Sequence, residues 1–459
     1  MTLQTPFHPV SRQRLCDMCD TVNDLPSLLP GEQAHCRCCG HTLASRVHSS
    51  VGTPLALALT ALILLAFSMS YEYISFSASG IARAMTLIQA VTAPIALGYP
   101  ILTIIFGMGV VLLPACYLLG VVYLHLFIGL GKTPPNGIYV ARLLHYVTAW
   151  MMPDIFVIGV LVSLVKIMSL ASIGFGLAFW TFCAFAVCML ATTRRIDHEG
   201  LWKRLSGPIR APHMNPDIRG KHQRMTTCTV CGQPGQVDAN GRGRCQRCRE
   251  PLHARKHHSL QITLALLLVS IMLYIPSMAW PVMHIHQLSD YDPQTIIGGV
   301  ILLITHGDIP IALVIFFASV MVPVAKLLAL FWLCWKTRHP LPFRYKHRMW
   351  LYHVTEFIGR WSMIDVFVVT VLASLVQLSS LMSIQPGHGI VAFAAVVIVT
   401  MVAAERFDPR LLWDAAEIAF RRQGMTLDEA MDASKNTPPG QEELADVSFD
   451  RTQKPTQTP

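Results

Sequence analysis

Eight cysteines come in pairs whose spacing suits a metal: Cys16-Asp-Met-Cys19 with Cys36-Arg-Cys-Cys39, and Cys228-Thr-Val-Cys231 with Cys245-Gln-Arg-Cys248. A Cys-x-x-Cys turn aims two sulfurs at one ion, and two such turns close a tetrahedral four-thiolate shell of the zinc-ribbon kind. Sixteen residues separate the pairs in the first module and 13 in the second, so the second ribbon is expected to carry the shorter hairpin. We expect one structural Zn²⁺ per module, held by Cys16, Cys19, Cys36 and Cys39 and by Cys228, Cys231, Cys245 and Cys248. A closed shell leaves no open position for catalysis, and about 35 residues are too few to fold on a core of their own. Disulfides are the competing pairing and belong in an oxidising compartment. Cys38 is either a substitute ligand or idle. Cys116, Cys183, Cys188 and Cys334 sit in apolar runs and read as small core residues.

The second set of chemical candidates is charge within apolar sequence, which is costly in a bilayer unless it meets a partner or water. Trp150-Met-Met-Pro-Asp154 leads to Ser163 and Lys166, and Trp361-Ser-Met-Ile-Asp365 leads to Thr370, Ser374 and Gln377. Lys326, three residues after Pro323, aligns with Tyr117 of the first half, Lys166 with Gln377, and Glu356 with His145. At about 1.5 Å per helical residue, Lys326 and Asp365 reach similar depth and are expected to pair. Lys166 lies near a span end and can snorkel. Two readings stand for these groups: an ion pair gluing helices, or a polar patch that lines a substrate cavity or relays protons. On the second reading Lys326 and Asp365 form its centre. Ser319, Thr370, Ser374 and Glu356 support them, with Asp154 and Lys166 as first-half candidates.

The elements that must position these groups come in duplicate. Cys245 follows Cys36 by 209 positions, Pro323 follows Pro114 by 209, and Trp361 follows Trp150 by 211. Self-similarity at such a period makes the chain one design used twice. Only 14% of residues are charged, against about 25% in soluble domains. With apolar runs near 20 residues, that places the chain in a membrane. Spans are expected near 53–71, 96–128, 147–171 and 173–192, and near 260–280, 309–335, 354–382 and 388–404, all helical because lipid satisfies no open backbone. Pro114 and Pro323 suggest bent second spans. Tyr274-Ile-Pro-Ser-Met-Ala-Trp280 reads as an interfacial anchor.

The fold expected is therefore all-α and integral to the membrane: two tandem repeats, each a small β zinc ribbon plus a four-helix bundle, with eight transmembrane helices. The ribbons span 1–50 and 225–256, the bundles 51–193 and 257–422. A basic linker covers 194–224, and the tail at 423–459 is poor in aromatics and expected to be disordered. No cleavable leader is evident at the polar N-terminus. Lys and Arg crowd one set of loops (Arg12, Arg14, Arg37, Arg46, Lys132, Arg142, Arg194, Arg195, Lys336, Arg338), whereas 281–308 has none. By the positive-inside bias, both ribbons and both termini face the cytoplasm. That bias also accounts for the net charge of +9 without nucleic acid.

Walker, Gly-x-Gly-x-x-Gly, Gly-x-Ser-x-Gly and His-Glu-x-x-His motifs are lacking, so no enzyme chemistry is expected. The ribbon-plus-span tandem, Pro-Leu-Ala-Leu-Ala-Leu at 54–59, Asp292-Pro-Gln-Thr-Ile-Ile-Gly-Gly-Val300, Ala318-Ser-Val-Met-Val-Pro-Val-Ala-Lys326 and Gly359-Arg-Trp-Ser-Met-Ile-Asp365 resemble the paraquat-inducible protein A family over about residues 14–415. The resemblance implies an inner-membrane protein of Gram-negative bacteria that works with periplasmic tunnel proteins built from mammalian-cell-entry (MCE) domains and moves phospholipids between membranes. It implies tetraspanin-like bundles, zinc on the eight paired cysteines, and Lys326, Asp365 and Thr370 in a polar membrane core. Arg37-Cys38 departs from the family's common Pro-Arg, and Tyr71-Glu-Tyr-Ile differs from Ile275-Pro in the second copy. These departures fit one bundle handling substrate while the other acts as scaffold. A membrane-anchored zinc or redox stress sensor, or a scaffold without transport, is the alternative.

Overall fold

The computed structural model describes residues 12–422, apart from 27, 47–51, 79–80, 168–171, 208–211, 217, 288–289, 306, 308, 339–344, 376 and 379–381. The expected tail at 423–459 thus lies outside the described residues. Helices of the first copy are α1 (Gly52–Ser70), α2 (Leu87–Ala96), α3 (Pro100–Gly107), α4 (Leu113–Gly129), α5 (Gly137–Thr148), α6 (Pro153–Ile167), α7 (Leu177–Arg195) and α8 (His198–Ser206). The second copy repeats them as α9 (Ser259–Ala279), α10 (Ile296–Thr305), α11 (Ile309–Phe316), α12 (Val322–Arg338), α13 (Tyr345–Trp361), α14 (Ile364–Leu375), α15 (His388–Arg406) and α16 (Arg410–Arg422).

Among the described residues, seven stretches are long and apolar enough to cross a bilayer: α1, Pro100–Gly129, Gly137–Leu164, α7, α9, Phe317–Arg338 and α15. The eighth expected span, 354–382, falls on α13 and α14, whose 17 and 12 residues are interrupted at Ser362-Met363. Lys346, Arg348, Glu356 and Arg360 put charge along α13, so its sequence lacks the unbroken apolar run of the seven spans.

The prolines of the second spans are accommodated by a specific device. A π-helical turn, Met108–Leu112 or Phe317–Met321, precedes Pro114 and Pro323 at the same place in each copy. A proline ring clashes with the carbonyl four residues back, and the wider π turn moves that carbonyl (of Val110 or Ser319) aside. In the first copy the third span is also broken, between α5 and α6. There the Met152 N–H donates to the Gly109 carbonyl inside the π turn, at 3.1 Å. Break and bulge satisfy each other's backbone, as lipid requires.

Two small antiparallel sheets, which the sequence reading did not anticipate, close the ends of the bundles away from the ribbons. Glu72–Ala78 pairs with Ile81–Thr86 and with Ser172–Phe175. In the second copy Met283–Gln287 sits between Asp290–Gln294 and Met382–Pro386, with Gln377–Leu378 at the far edge. Each sheet joins the loop after the first span to the loop after the third, a pairing that only the helix packing brings about.

Within each copy the first and fourth spans lie side by side, α1 on α7 and α9 on α15. The copies meet through α6 and α14. Phe156 and Phe367 hold corresponding positions, and their rings pack edge to face at 5.9 Å and 86°. Ser163 Oγ donates to the Val368 carbonyl at 3.3 Å across the same seam. Outward-facing Leu268, Met272, Val187 and Trp180 remain exposed, as residues turned toward acyl chains should be.

Candidate functional site

Four turns of one design present the cysteines. In each, the first cysteine's carbonyl accepts from the residue after the second cysteine: Asp20, Gly40, Gly232 and Arg249. All four residues have positive φ, between 59° and 73°. Gly40 and Gly232 adopt that backbone freely, whereas Asp20 and Arg249 take it at a steric cost.

The sulfurs of each set lie within 4.8 Å of one another. Cys16 and Cys39 approach to 3.6 Å, Cys19 and Cys36 to 3.5 Å, Cys228 and Cys248 to 3.4 Å, and Cys231 and Cys245 to 3.5 Å. Metal–sulfur bonds of about 2.3 Å would place tetrahedral thiolates roughly 3.8 Å apart, so both sets fit a tetrahedral ion with little adjustment. Their protons compete: hydrogen bonding with Cys19 and burial push the Cys16 thiol up, while hydrogen bonding with Cys228 and Cys231 pulls Cys245 down. A divalent cation would reconcile them by holding all four as thiolates. Asn23 Nδ2 also donates to Cys36 Sγ at 3.6 Å. Cys38 is buried beside the first set, where the second carries buried Arg247.

The ribbons dock crosswise. Ribbon 1 packs its cysteines into the apolar cluster of the second bundle, with Leu330, Leu333, Phe407 and Trp413, and His41 stacks on His353 of α13 at 5.8 Å. Ribbon 2 packs with the first bundle, where Glu250 accepts from Tyr146 Oη of α5 at 2.7 Å and pairs with Arg142. Arg14 of ribbon 1 bonds the Gly232 carbonyl of ribbon 2 and pairs with Glu199 of α8.

A charged latch on α16 gathers these parts. Asp414 accepts from Arg255 Nε and Nη2 at 2.8 and 2.9 Å, and Glu417 accepts from Arg219 Nη1 at 2.9 Å. Arg219 in turn donates to the Cys19 carbonyl, and Arg255 makes a close ion contact of 2.6 Å with Asp20. That last contact is an ion pair by distance and lacks hydrogen-bond geometry. Burial alone would raise the Asp414 carboxyl, but the Arg255 hydrogen bonds and neighbouring cations hold it below the usual range. Glu417 is held low in the same way by His222 and Arg219. Burial outweighs the cations at Asp20, whose carboxyl is raised. In the sequence Arg219 stood out only as part of the basic linker 194–224, and Arg255 not at all.

Within the second bundle, Lys326 of α12 is 3% exposed and faces inward. Its Nζ donates to Thr400 Oγ1 of α15 at 3.0 Å, and Thr400 donates to the Val397 carbonyl. A Cβ at Gly359 of α13 would stand 3.0 Å from Nζ, so the glycine makes room for the ammonium. Ser319 is buried in the π turn, and Thr370 is buried on α14, donating to the Val366 carbonyl. Asp154 opens the first turn of α6 and is exposed. The backbones of Glu356, Asp365, Ser374 and Lys166 belong to α13, α14, α14 and α6, but their side chains lie outside the described residues, and so does the expected Lys326–Asp365 pair. Sequence reasoning missed Thr400 and Gly359. Thr400 is the one hydroxyl in Val396-Val-Ile-Val-Thr-Met401, a signal that was available.

The model of the paraquat-inducible protein A family matches residues 51–206 and 260–417, one block per bundle. The Escherichia coli (strain K12) protein named intermembrane transport protein PqiA is 39% identical over 411 residues, covering 89% of this chain and 97% of that protein. The E. coli lipophilic envelope-spanning tunnel protein A is 30% identical over 88% of this chain and 91% of its own length. A probable intermembrane transport protein of Haemophilus influenzae is 28% identical over 87% and 95%. No solved structure matches. With its two matched bundles and near full-length likeness to these relatives, the chain belongs to the paraquat-inducible protein A family.

Proposed function

We propose that the chain is the inner-membrane subunit of an intermembrane lipid transport system. It would pass phospholipid to or from a periplasmic tunnel protein with MCE domains, through a polar site in the second bundle. The names of its relatives, intermembrane transport and envelope-spanning tunnel proteins, support transport between membranes rather than catalysis. The observation that carries the reading is Lys326, an ammonium held inside a bundle among α12, α13 and α15 with Thr400 as partner. A buried cation in a membrane is expensive and calls for an anionic client. A phosphate group supplies one, since Lys binds it as a compact point charge. Asp365, Glu356, Ser319, Thr370 and Ser374 would line the same site, with Asp154 and Lys166 at its first-bundle counterpart.

Each ribbon would hold one structural Zn²⁺ on its four thiolates, fixing the cytoplasmic ends of the bundles. The bundles would be tetraspanin-like, and both ribbons and both termini would face the cytoplasm of a Gram-negative cell. Envelope barrier function in cells carrying Lys326→Ala or Asp365→Asn tests the site: both should become detergent-sensitive while the protein still inserts. Wild-type resistance in both removes the assignment. Purified protein that carries two zinc ions, binds no phospholipid and sheds metal on oxidation would favour a sensor instead.

A further inference from the structure

The second cysteine turns of the two ribbons differ at two positions that matter to a metal. Ribbon 1 reads Cys36-Arg-Cys-Cys-Gly40 and ribbon 2 reads Cys245-Gln-Arg-Cys-Arg249. The residue before the final ligand is thus Cys38 in one and Arg247 in the other, and both are buried. A guanidinium has no lone pair to offer a cation, whereas a thiolate is a zinc ligand. The Cys38 thiol lies against Cys19 and Thr21, in the same packed cluster as Cys16, Cys36 and Cys39. Five sulfurs therefore stand at a site whose tetrahedral shell takes four.

Cys39 is the ligand most open to replacement. Of the eight paired cysteines it alone is only partly buried. Its turn is pinned at the start, where Asn23 Oδ1 accepts from the Arg37 N–H at 3.0 Å and Asn23 Nδ2 donates to Cys36 Sγ. The far end has room to move: Gly40 takes a φ of +73°, and a Cβ placed there would meet nothing within 4 Å. Adjacent Cα atoms are about 3.8 Å apart, so turning Cys38 inward and Cys39 outward is a local change. In ribbon 2 Arg249 holds the equivalent left-handed position at a steric cost, and no second thiol precedes Cys248.

We propose that Cys38 is a reserve ligand of the first metal site, taking the place of Cys39 when that sulfur is lost or modified. In the exchange one metal–sulfur bond forms and one breaks. Cys38 gives its proton to water as it binds, and an unmodified Cys39 takes one from water as it leaves. Zn²⁺ has no d-electron preference of geometry, so it accepts either sulfur in the fourth position. The inference rests on the reading of both four-cysteine sets as zinc sites. It makes ribbon 1 tolerant of losing one ligand and leaves ribbon 2 without that tolerance.

Zinc content of the full chain in lipid nanodiscs, with the rate of zinc release to a chelator, tests this. Wild type should hold two zinc ions, and a lower count overturns the zinc reading and the proposal together. Cys39→Ser should keep both ions and release them within about twofold of the wild-type rate. The double variant Cys38→Ser/Cys39→Ser and the ribbon 2 variant Cys248→Ser should each lose one ion or release it at least tenfold faster. Release from Cys39→Ser that matches the double variant overturns the proposal and leaves the zinc reading standing. A second measurement keeps all paired ligands in place: alkylation of Cys39 by iodoacetamide, located by peptide mass spectrometry, should leave wild type with both ions and Cys38→Ser with one. Equal retention in those two proteins overturns the proposal as well.

Discussion

Lys326 is the residue on which function and stability pull apart. Its ammonium is enclosed by three helices, and the Thr400 hydroxyl accepts from it. Thr400→Val removes that acceptor and leaves a buried cation less satisfied, a cost of about 1–3 kcal/mol. The thermal midpoint in detergent should therefore fall. Lys326→Met instead replaces charge with an apolar chain of similar length, and such exchanges are often neutral or stabilising. That variant should melt no lower than wild type and yet lose the envelope barrier in cells. A Lys326→Met protein that both melts normally and protects cells would mean that the ammonium serves packing alone.

At the scale of elements, the π turns and the α6–α14 seam decide where side chains point. Gly159 on α6 lies so close to α14 that a Cβ would stand 3.1 Å from Phe367 Cβ. Gly159→Val must push the copies apart or force off-rotamer rings in the Phe106–Phe156–Phe367 cluster, at about 1–3 kcal/mol. Differential scanning fluorimetry should register that loss, while the same change at exposed Gly129, which has open space around it, should register none. The second-span prolines and the paired apolar runs were readable in the sequence. The π turns that accommodate the prolines were not, because a one-residue change of hydrogen-bond register leaves no compositional mark. The two sheets escaped notice for a related reason: their strands are short, and one partner lies about 100 residues from the other in the chain, as Phe76 and Ile173 illustrate.

For the molecule as a whole, the crosswise ribbons and the α16 latch tie both bundles into one unit. Arg255→Ala would strand the buried carboxylates of Asp414 and Asp20, and breaking a buried pair costs about 3 kcal/mol or more. Limited proteolysis should then cut between ribbon 1 and α1 sooner than in wild type. The pH dependence follows from the folded carboxyls of Asp414 and Glu417, both held below their usual values. A depressed carboxyl adds stability above its unfolded pKa of about 4 and loses it as pH falls through the folded value. The latch should thus be intact at pH 7 and loosen below about pH 4, read as faster proteolysis in acid. Stripping metal with a strong chelator should release both ribbons together. Exchange protection should then fall on α13 beneath His41 and on α5 beneath Glu250, although neither helix holds a metal ligand.

The sequence by itself determined the parts of this protein: two copies, two four-cysteine modules, the apolar helices, and Lys326 as a charge set within an apolar run. Those are consequences of composition and spacing, which act locally along the chain. Only the tertiary structure decided which ribbon sits on which bundle, that Thr400 rather than a described carboxylate meets Lys326, and that α6 and α14 weld the copies. Such pairings depend on shape and on surfaces from distant segments meeting, and no periodicity in a single chain encodes them.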